Sequence, residues 1–195
     1  MKVLVAVPTF ETITPETFRS IYNLKRGEHD VSFDFVKGYD CAKARNEIAK
    51  KTTEGGYDAV LMVDSDIIVP DMALLWMTET PADIVLGCYP RKNTKKGEVE
   101  LFRLGQKDFV NRYTYDDLPQ DTRIDVKGGG FGCAFVNSVV FKQLPFPWFK
   151  YVTYNNGSVL SEDLYFCHSA VTAMIRVQAD TRIRCGHLIR GFQYN

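Results

Sequence analysis

The chain has 195 residues, with 24 Lys and Arg against 24 Asp and Glu, so its formal net charge is zero. Hydrophobic residues make up 45% and charged residues 25%, which is typical of a globular domain and excludes a disordered or collagen-like chain. The balanced charge argues against a polybasic binder of nucleic acid or membranes. The five cysteines include no C-x-x-C pair, so neither a zinc site nor a disulfide framework is indicated, and we expect a cytoplasmic protein.

Strand and helix signals alternate over residues 1–88. Apolar runs predict strands at residues 2–7, 30–36, 58–63 and 83–88, and helical patterns predict helices at residues 14–27, 41–53 and 70–78. This βαβαβαβ order predicts a mainly parallel, Rossmann-like sheet with helices on both faces. The first apolar run ends after five residues at Pro8, so no membrane segment is expected.

The pattern is less regular over residues 89–195. A basic loop comes first (Arg91, Lys92, Lys95, Lys96), and it either holds phosphate oxygens or only solubilises the loop. Strand-like pieces follow at residues 98–104, then a glycine cluster at 128–132, a short helix near 137–143, an aromatic stretch at 146–154, a helix from about 161, and paired strand-like pieces at 174–185. We therefore predict one α/β domain over residues 1–195 with an irregular, partly antiparallel C-terminal half.

A pair of carboxylates follows a buried strand. Asp64 and Asp66, separated by Ser65, lie at the strand end where open α/β sheets bind ligands. Residues i and i+2 of extended backbone point to the same side, so both carboxylates can face one object. A divalent cation such as Mg²⁺ or Mn²⁺ would relieve their repulsion and keep positions open for phosphate oxygens. The alternative is a solvated turn that caps the helix at Pro70.

Two further features are candidates for the same site. The string Ser161-Glu162-Asp163 precedes a helical pattern, so one carboxylate is a candidate general base; the alternative is an ordinary helix cap with acidic first-turn residues. His187 follows a strand, and its imidazole suits Mn²⁺ better than Mg²⁺; the alternative is a structural histidine.

Glycines and aromatic side chains are the last candidates. The glycines at 128–132 do not form a phosphate loop, because no Gly-Lys-Ser/Thr follows, but they allow backbone to approach a ligand or another segment closely. Trp148 and its aromatic neighbours are either a stacking platform for a sugar or base, or part of the core.

Together these residues resemble the GT-A class of nucleotide-sugar glycosyltransferases, in particular glycosyltransferase family two, over about residues 2–190. The resemblance rests, in chain order, on Val5-Ala6-Val7-Pro8-Thr9-Phe10, Ala44-Arg45-Asn46, Asp64-Ser65-Asp66, Gly128 to Cys133, Glu162-Asp163 and His187. Their order and spacing make the resemblance specific, rather than any single string.

The resemblance implies a metal-dependent glycosyltransferase that moves a sugar from a nucleoside-diphosphate sugar to an acceptor hydroxyl. A UDP-sugar is the favoured donor, and inversion is favoured over retention, which also occurs within this fold. The donor would be bound by Pro8, Thr9, Arg45, Asn46, Asp64, Ser65 and Gly130, with Asp34 and Asp40 as weak candidates for base contacts. Asp64, Asp66 and His187 would hold Mn²⁺ or Mg²⁺, and Asp163, with Glu162 beside it, would take the acceptor proton. Residues 1–88 would form the donor half and residues 89–195 the acceptor half.

Several alternatives stay open. A sugar-phosphate nucleotidyltransferase shares the fold, but it normally carries a glycine-rich basic signature where this chain has Pro8-Thr9-Phe10-Glu11. A non-catalytic nucleotide-sugar binding module is the other alternative, although it would need none of the candidate catalytic carboxylates. A saccharide and a modified DNA base are both candidate acceptors, and a homo-oligomer is compatible with a domain this small.

Overall fold

The computed structural model describes residues 1–38, 40–92, 97–103, 111–189 and 192–194, the last three and residue 189 by backbone alone. The strands are β1 (Lys2–Thr9), β2 (Asp30–Lys37), β3 (Ala59–Val63), β4 (Ile67–Ile68), β5 (Ile84–Cys88), β6 (Glu98–Arg103), β7 (Arg112–Thr114), β8 (Arg123–Gly129), β9 (Cys133–Asn137), β10 (Val152–Thr153), β11 (Val159–Leu160), β12 (Val177–Arg184), β13 (Gly186–Ile189) and β14 (Phe192–Tyr194). The helices are α1 (Pro15–Tyr22), α2 (Cys41–Glu54), α3 (Ala73–Thr78), α4 (Ser138–Gln143) and α5 (Glu162–Thr172).

The apolar runs of the first half form strands as expected. Every residue of β3 and β5 is buried, because helices cover both faces of the sheet. Helix α1 begins as its sequence predicts, with the Thr14 side chain accepting a hydrogen bond from the Thr17 amide at 3.2 Å and Pro15 in the first turn. It ends at Tyr22, several residues before the predicted end at Gly27.

Nine strands form one sheet in the order β2-β1-β3-β9-β5-β12-β8-β6-β7. Pairing is parallel for β1 with β2, β1 with β3 and β5 with β12, and antiparallel elsewhere, so six of these nine strands point the same way. The predicted fold class, a mainly parallel α/β sheet with antiparallel additions from the second half, is confirmed.

Strand β9 was not predicted, and it lies antiparallel between β3 and β5. It separates two strands that are consecutive in the predicted βαβ pattern. Its pairing places the glycine cluster beside the end of β3, where the Asp64 amide donates to the Gly132 carbonyl at 3.0 Å. Strands from both halves of the chain therefore alternate at the centre of the sheet.

The prediction of paired strands at residues 174–185 is wrong. The segment forms one strand, β12, which pairs with β5 on one side and β8 on the other. Polar residues such as Asp180 and Thr181 are fully buried in it, and Arg182 forms an ion pair with Asp180. These polar residues interrupt the apolar pattern of the strand, so the sequence indicated two short strands where there is one. They are tolerated in the core because they are paired.

A small second sheet joins distant parts of the chain. Strand β4, directly after Asp66, pairs with β13, and β13 pairs with β14. His187 lies opposite Ile67 in this register, and the Leu188 amide donates to the Asp66 carbonyl at 2.9 Å. This pairing brings His187 beside the Asp64–Asp66 turn.

Two hydrophobic clusters lie on opposite faces of the nine-stranded sheet. One packs α2, α4 and α5 against it, and the other packs α1 and α3. The sheet thus holds the ends of β1 and β3 rigidly between two layers of helices. Within the described ranges, none of the helices combines the length and the apolar character that a membrane span requires.

Candidate active site

A cleft opens at the carboxyl ends of β1 and β3, where a ligand site of an open α/β sheet is expected. It is lined by Pro8, Thr9, Phe10, Gly38, Cys41, Ala44, Asp64, Ser65 and Asp66. The structure thus brings together four predicted donor residues, Pro8, Thr9, Asp64 and Ser65. The Thr9 hydroxyl donates to the Thr12 carbonyl at 2.7 Å, which fixes the backbone at the rim.

Asp64 is held by a buried arginine. Nη2 of Arg45 donates to both carboxylate oxygens of Asp64, at 2.8 and 3.1 Å, while Nη1 donates to Glu162. Arg45 is 3% exposed and Glu162 is 5% exposed. The alternative in which Asp64 and Asp66 cap the next helix is excluded, because α3 begins at Ala73 and has no side-chain cap.

The arginine links α2 to the end of β3 and the start of α5. Burial raises the pKa of Glu162, and Arg45 opposes this shift by favouring the ionised form. Nη1 and Nη2 both face these carboxylates, whereas Nε is buried and has no hydrogen-bond partner among the described residues. Two predictions are therefore corrected: Arg45 is not placed to bind the donor, and Glu162 is not placed to act as a catalytic carboxylate, since each is buried against the other.

Asp66 has different partners and is half-exposed. Nζ of Lys92 donates to its Oδ2 at 2.5 Å, and Nε2 of His187 lies 3.6 Å from its Oδ1. Burial alone would raise the pKa of Asp66, but the contacts with His187 and Lys92 outweigh burial and hold the pKa below its usual value. Asp66 is therefore ionised near neutral pH.

A backbone contact fixes the tautomer of His187. Its Nδ1 lies 2.7 Å from the carbonyl oxygen of Pro90, which can only accept a hydrogen bond, so Nδ1 carries the hydrogen. In the neutral ring, the lone pair is then on Nε2, which faces Asp66. The Tyr89 ring packs edge-on against the imidazole with centroids 5.4 Å apart. A hydrogen bond from the second ring nitrogen to a carbonyl is the arrangement that orients metal-binding histidines.

The predicted three-residue metal site is not formed. Among the residues that the structure describes, no group of three His, Cys, Asp or Glu side chains is arranged to hold a metal ion. Asp64 is the residue that departs from the prediction, because its carboxylate faces Arg45. Asp66 and Nε2 of His187 still fit a divalent cation, since Mg²⁺ and Mn²⁺ accept one or two protein ligands when waters and phosphate oxygens supply the rest.

Asp163 lies at the first turn of α5. Its Oδ1 accepts hydrogen bonds from the Ser161 hydroxyl and from the Leu164 amide, the latter at 2.7 Å. Its charge contributes to raising the pKa of Asp64 and of Tyr89, after the larger effect of burial in each case, so these groups lie near one another. Ser161 is the N-cap residue of α5, and Glu162 and Asp163 lie in the first turn, as the helix-cap alternative predicts, but the Ser161 side chain caps no backbone amide.

The glycine cluster makes room for Tyr89, a residue that the sequence did not single out. A Cβ at Gly130 would lie 1.9 Å from the Tyr89 hydroxyl oxygen, and one at Gly132 would lie 2.8 Å from its ring. The Gly132 amide donates to that oxygen at 3.1 Å. The glycines were expected to allow close approach of the backbone either to a ligand or to another segment, and the structure shows approach to another segment. Gly130 was predicted to bind the donor, and the structure instead assigns its bare Cα to the packing of Tyr89.

Asn46 and Asp34 were predicted to bind the donor, and the structure places both elsewhere. The Asn46 amide donates to the carbonyls of Ala42 and Phe149 and accepts from the amides of Trp148 and Phe149, so its hydrogen-bonding capacity is used. It clamps the aromatic segment onto α2. Asp34 pairs with Lys51 at 2.7 Å and lines a separate depression beside Tyr57.

The aromatic segment divides between core and surface. Phe149 is buried and stacks on Phe166 with centroids 4.5 Å apart, and Trp148 donates from Nε1 to the Phe141 carbonyl at 2.9 Å. Tyr151 and Tyr154 are about half exposed. The core interpretation therefore holds for Trp148 and Phe149.

The basic loop is described only at its start. Lys92 contacts Asp66, and Arg91 pairs with Glu98 at 3.0 Å and with Glu100 at 3.6 Å. Lys95 and Lys96, which were predicted either to hold phosphate oxygens or only to solubilise the loop, lie outside the described residues.

No protein-family model and no curated protein matches the sequence. Among solved structures, the chain is similar to A197 from STIV, with a TM-score of 0.64 and 20% identity over 97% of this chain and 86% of that one. It is similar to S. aureus TarS 1–349 in complex with UDP (TM-score 0.51, 14% identity, 94% and 60% of the two chains). It is also similar to the Drosophila β-1,4-galactosyltransferase 7 in complex with manganese, UDP-Gal and xylobiose (TM-score 0.51, 16% identity, 92% and 65%).

A nucleotidyltransferase is also among the similar structures. UDP-glucose pyrophosphorylase from Acinetobacter baumanii is matched with a TM-score of 0.56 and 10% identity, over 95% of this chain and 88% of that one. At these identities the likeness concerns the fold alone. The chain therefore has the GT-A fold, as the sequence resemblance implied, and this fold is shared by enzymes that use or make nucleotide sugars.

Proposed function

We propose that the protein is a glycosyltransferase that moves a sugar from a nucleoside-diphosphate sugar to an acceptor hydroxyl with the help of a divalent cation. The observation that carries the proposal is a cluster of ionisable groups at the cleft. Asp66 lines the cleft, and Nε2 of His187 lies 3.6 Å from its carboxylate. Asp163 is close enough to Asp64, which also lines the cleft, to contribute to the raised pKa of Asp64, after the larger effect of burial.

The donor nucleoside fits the part of the cleft formed by the ends of β1 and β3. Pro8, Thr9 and Ser65 line this part of the cleft. The TarS and galactosyltransferase structures similar to this chain hold UDP and UDP-Gal, so a UDP-sugar is the donor that we propose. Its diphosphate would extend towards Asp66.

The charge of the site favours a cation with the diphosphate. Among the residues that the structure describes, the charged side chains of this cluster are four carboxylates, Asp64, Asp66, Glu162 and Asp163, and two cations, Arg45 and Lys92. The ionised group is therefore negative overall, and the raised pKa values of Asp64 and Glu162 reduce this charge without making it positive. A diphosphate would be repelled unless a cation accompanies it. Asp66 and His187 are the residues that would hold this cation.

The cation and the chain's own residues have different roles in the proposed reaction. A bound cation supplies Lewis-acid stabilisation of the leaving diphosphate. Asp163 takes the proton from the acceptor hydroxyl. Its Oδ1 is held by Ser161 and Leu164, while among the described residues Oδ2 has no hydrogen-bond donor and can accept that proton. One base and no enzyme nucleophile suit a single displacement with inversion at the anomeric carbon.

A nucleotidyltransferase is the second candidate, because the chain covers 88% of a pyrophosphorylase of the same fold. The two activities release different products. Incubation with Mn²⁺ and a panel of nucleotide sugars, followed by mass spectrometry, should show release of nucleoside diphosphate by slow donor hydrolysis. Pyrophosphate formed from a nucleoside triphosphate and a sugar phosphate would support the second candidate instead, and UDP binding with neither product would support a binding module.

The variant Asp163→Asn tests the catalytic part of the proposal. It should bind UDP as the parent chain does but lose transfer by about 10²–10⁴-fold, which is the usual contribution of a general base. Asp34→Asn is the matched control, because this carboxylate pairs with Lys51 outside the cleft, and it should keep full activity. An undiminished rate for Asp163→Asn would refute the assignment. Simple saccharides and hydroxymethylated DNA should be assayed side by side as acceptors.

A further inference from the structure

Lys92 occupies a position that the proposed function does not explain. Its ammonium group contacts Asp66, the carboxylate that would hold the cation, at 2.5 Å. Lys92 lies just beyond β5, two residues after Pro90, whose carbonyl orients His187. The lysine, the histidine and the aspartate therefore form one cluster, of which Asp66 lines the cleft.

We propose that Lys92 and the divalent cation compete for Asp66, and that Lys92 binds a phosphate oxygen of the donor when the cation takes the carboxylate. This inference rests on the proposed function. It assigns Lys92 as a donor-binding residue that exchanges one anionic partner for another.

Competition follows from the chemistry of the two partners. Asp66 bears one negative charge, which is paired with the ammonium group of Lys92. A divalent cation on Asp66 would repel the ammonium group next to it. The side chains of Lys92 and Asp66 are 35% and 34% exposed, so the ion pair is partly solvated and contributes little to stability. Lys92 can therefore leave Asp66 at small cost.

A diphosphate offers the displaced lysine a new partner. The ammonium group ends a flexible four-carbon chain with three rotatable N–H donors, and lysine commonly binds phosphate as a point charge. Since the cation bound at Asp66 must face the diphosphate, phosphate oxygens lie within the same small region. Moving from carboxylate to phosphate leaves the lysine paired in both states.

The neighbouring arginine is not equivalent to Lys92. Arg91 pairs with Glu98 and Glu100 on β6, so its charge is directed away from Asp66. It provides a matched control that removes one positive charge from the same loop. A general loss of positive potential would affect both variants equally, whereas competition at Asp66 is specific to Lys92.

Two binding measurements test the proposal without relying on turnover. Mn²⁺ alone is titrated into the parent chain, Lys92→Met and Arg91→Met, with free Mn²⁺ followed by electron paramagnetic resonance. UDP is then titrated at saturating Mn²⁺ by calorimetry. We expect Lys92→Met to bind Mn²⁺ about fivefold more tightly, which is the upper range for a half-exposed ion pair. We expect it to bind UDP about tenfold more weakly, because a charge-assisted hydrogen bond is lost.

Each of the other outcomes contradicts a specific part of the proposal. Unchanged Mn²⁺ and UDP affinities in Lys92→Met, with UDP bound by the parent chain, would overturn the proposal and leave the proposed function intact. Tighter Mn²⁺ binding with unchanged UDP binding would overturn the phosphate contact. Equal effects of Lys92→Met and Arg91→Met would overturn specific competition. A parent chain that binds neither Mn²⁺ nor UDP would overturn the proposed function together with this inference.

Discussion

Replacement of Arg45 by methionine should destabilise the protein severely. Methionine keeps much of the volume of the side chain, but it leaves Glu162 buried without its cation. Removing one partner from a buried ion pair costs about 3–5 kcal/mol, since the remaining charge has neither water nor a counter-ion. For a chain of this size, that loss lowers the melting temperature by about 6–20 °C.

The loss should depend on pH, because the unpaired Glu162 carboxyl resists ionisation. Burial already raises the pKa of Glu162 above its ordinary value, and loss of Arg45 would raise it further. A carboxyl whose folded-state pKa exceeds the unfolded value of about 4.3 destabilises the fold as pH rises through that interval. The deficit of Arg45→Met should therefore be larger at pH 8 than at pH 5. Urea denaturation at both pH values measures it.

Two further variants isolate the effect. Lys51→Met removes a cation from the same helix, but its ion pair with Asp34 is half-exposed, so we expect a loss below about 1 kcal/mol. Adding Glu162→Gln to Arg45→Met should restore part of the stability and reduce the pH dependence, with the remainder due to Asp64, which also loses Arg45. A loss in Arg45→Met no greater than that in Lys51→Met would refute the buried-pair reasoning.

Packing of the glycine cluster and the aromatic clamp give two more expectations. Gly130→Ala should destabilise the fold because its Cβ meets the Tyr89 hydroxyl. Adding Tyr89→Phe should relieve part of this loss in thermal denaturation, since the added Cβ would then first meet the ring carbon Cζ, at 3.0 Å. No relief would contradict the steric explanation. Asn46→Ala removes the hydrogen bonds that hold Trp148 and Phe149, which should cost about 2–4 kcal/mol and increase amide hydrogen exchange of these two residues. Unchanged exchange would show that aromatic packing alone holds the segment.

The position of the site could be predicted from the sequence because it depends on local patterns. Buried strands β1 and β3 are continuous apolar runs, and each ends at a residue that breaks the run, Pro8 or Asp64. Parallel strands align such ends at one edge of the sheet. The cleft and its lining residues Thr9 and Ser65 follow from these facts.

The partners of each side chain could not be predicted, because they depend on contacts between distant segments. Two adjacent carboxylates suggest a shared metal, and nothing local indicates that Asp64 faces Arg45 while Asp66 faces Lys92. Strand β9 was missed because no turn residue separates it from α4, whose first residue follows directly. A glycine cluster is equally compatible with a bound ligand and with a buried tyrosine packed against it, and only the fold distinguishes the two explanations.

The pairing of β4 with β13 sets an order for assembly of the site. The cleft is built by β1, α2 and β3, which are close in sequence, whereas His187 reaches Asp66 only when two segments separated by more than half of the chain come together. Closing a long loop is entropically costly and tends to come late in folding. During synthesis, the cleft can therefore form while the ribosome is still adding residues, and the contact between His187 and Asp66 forms later.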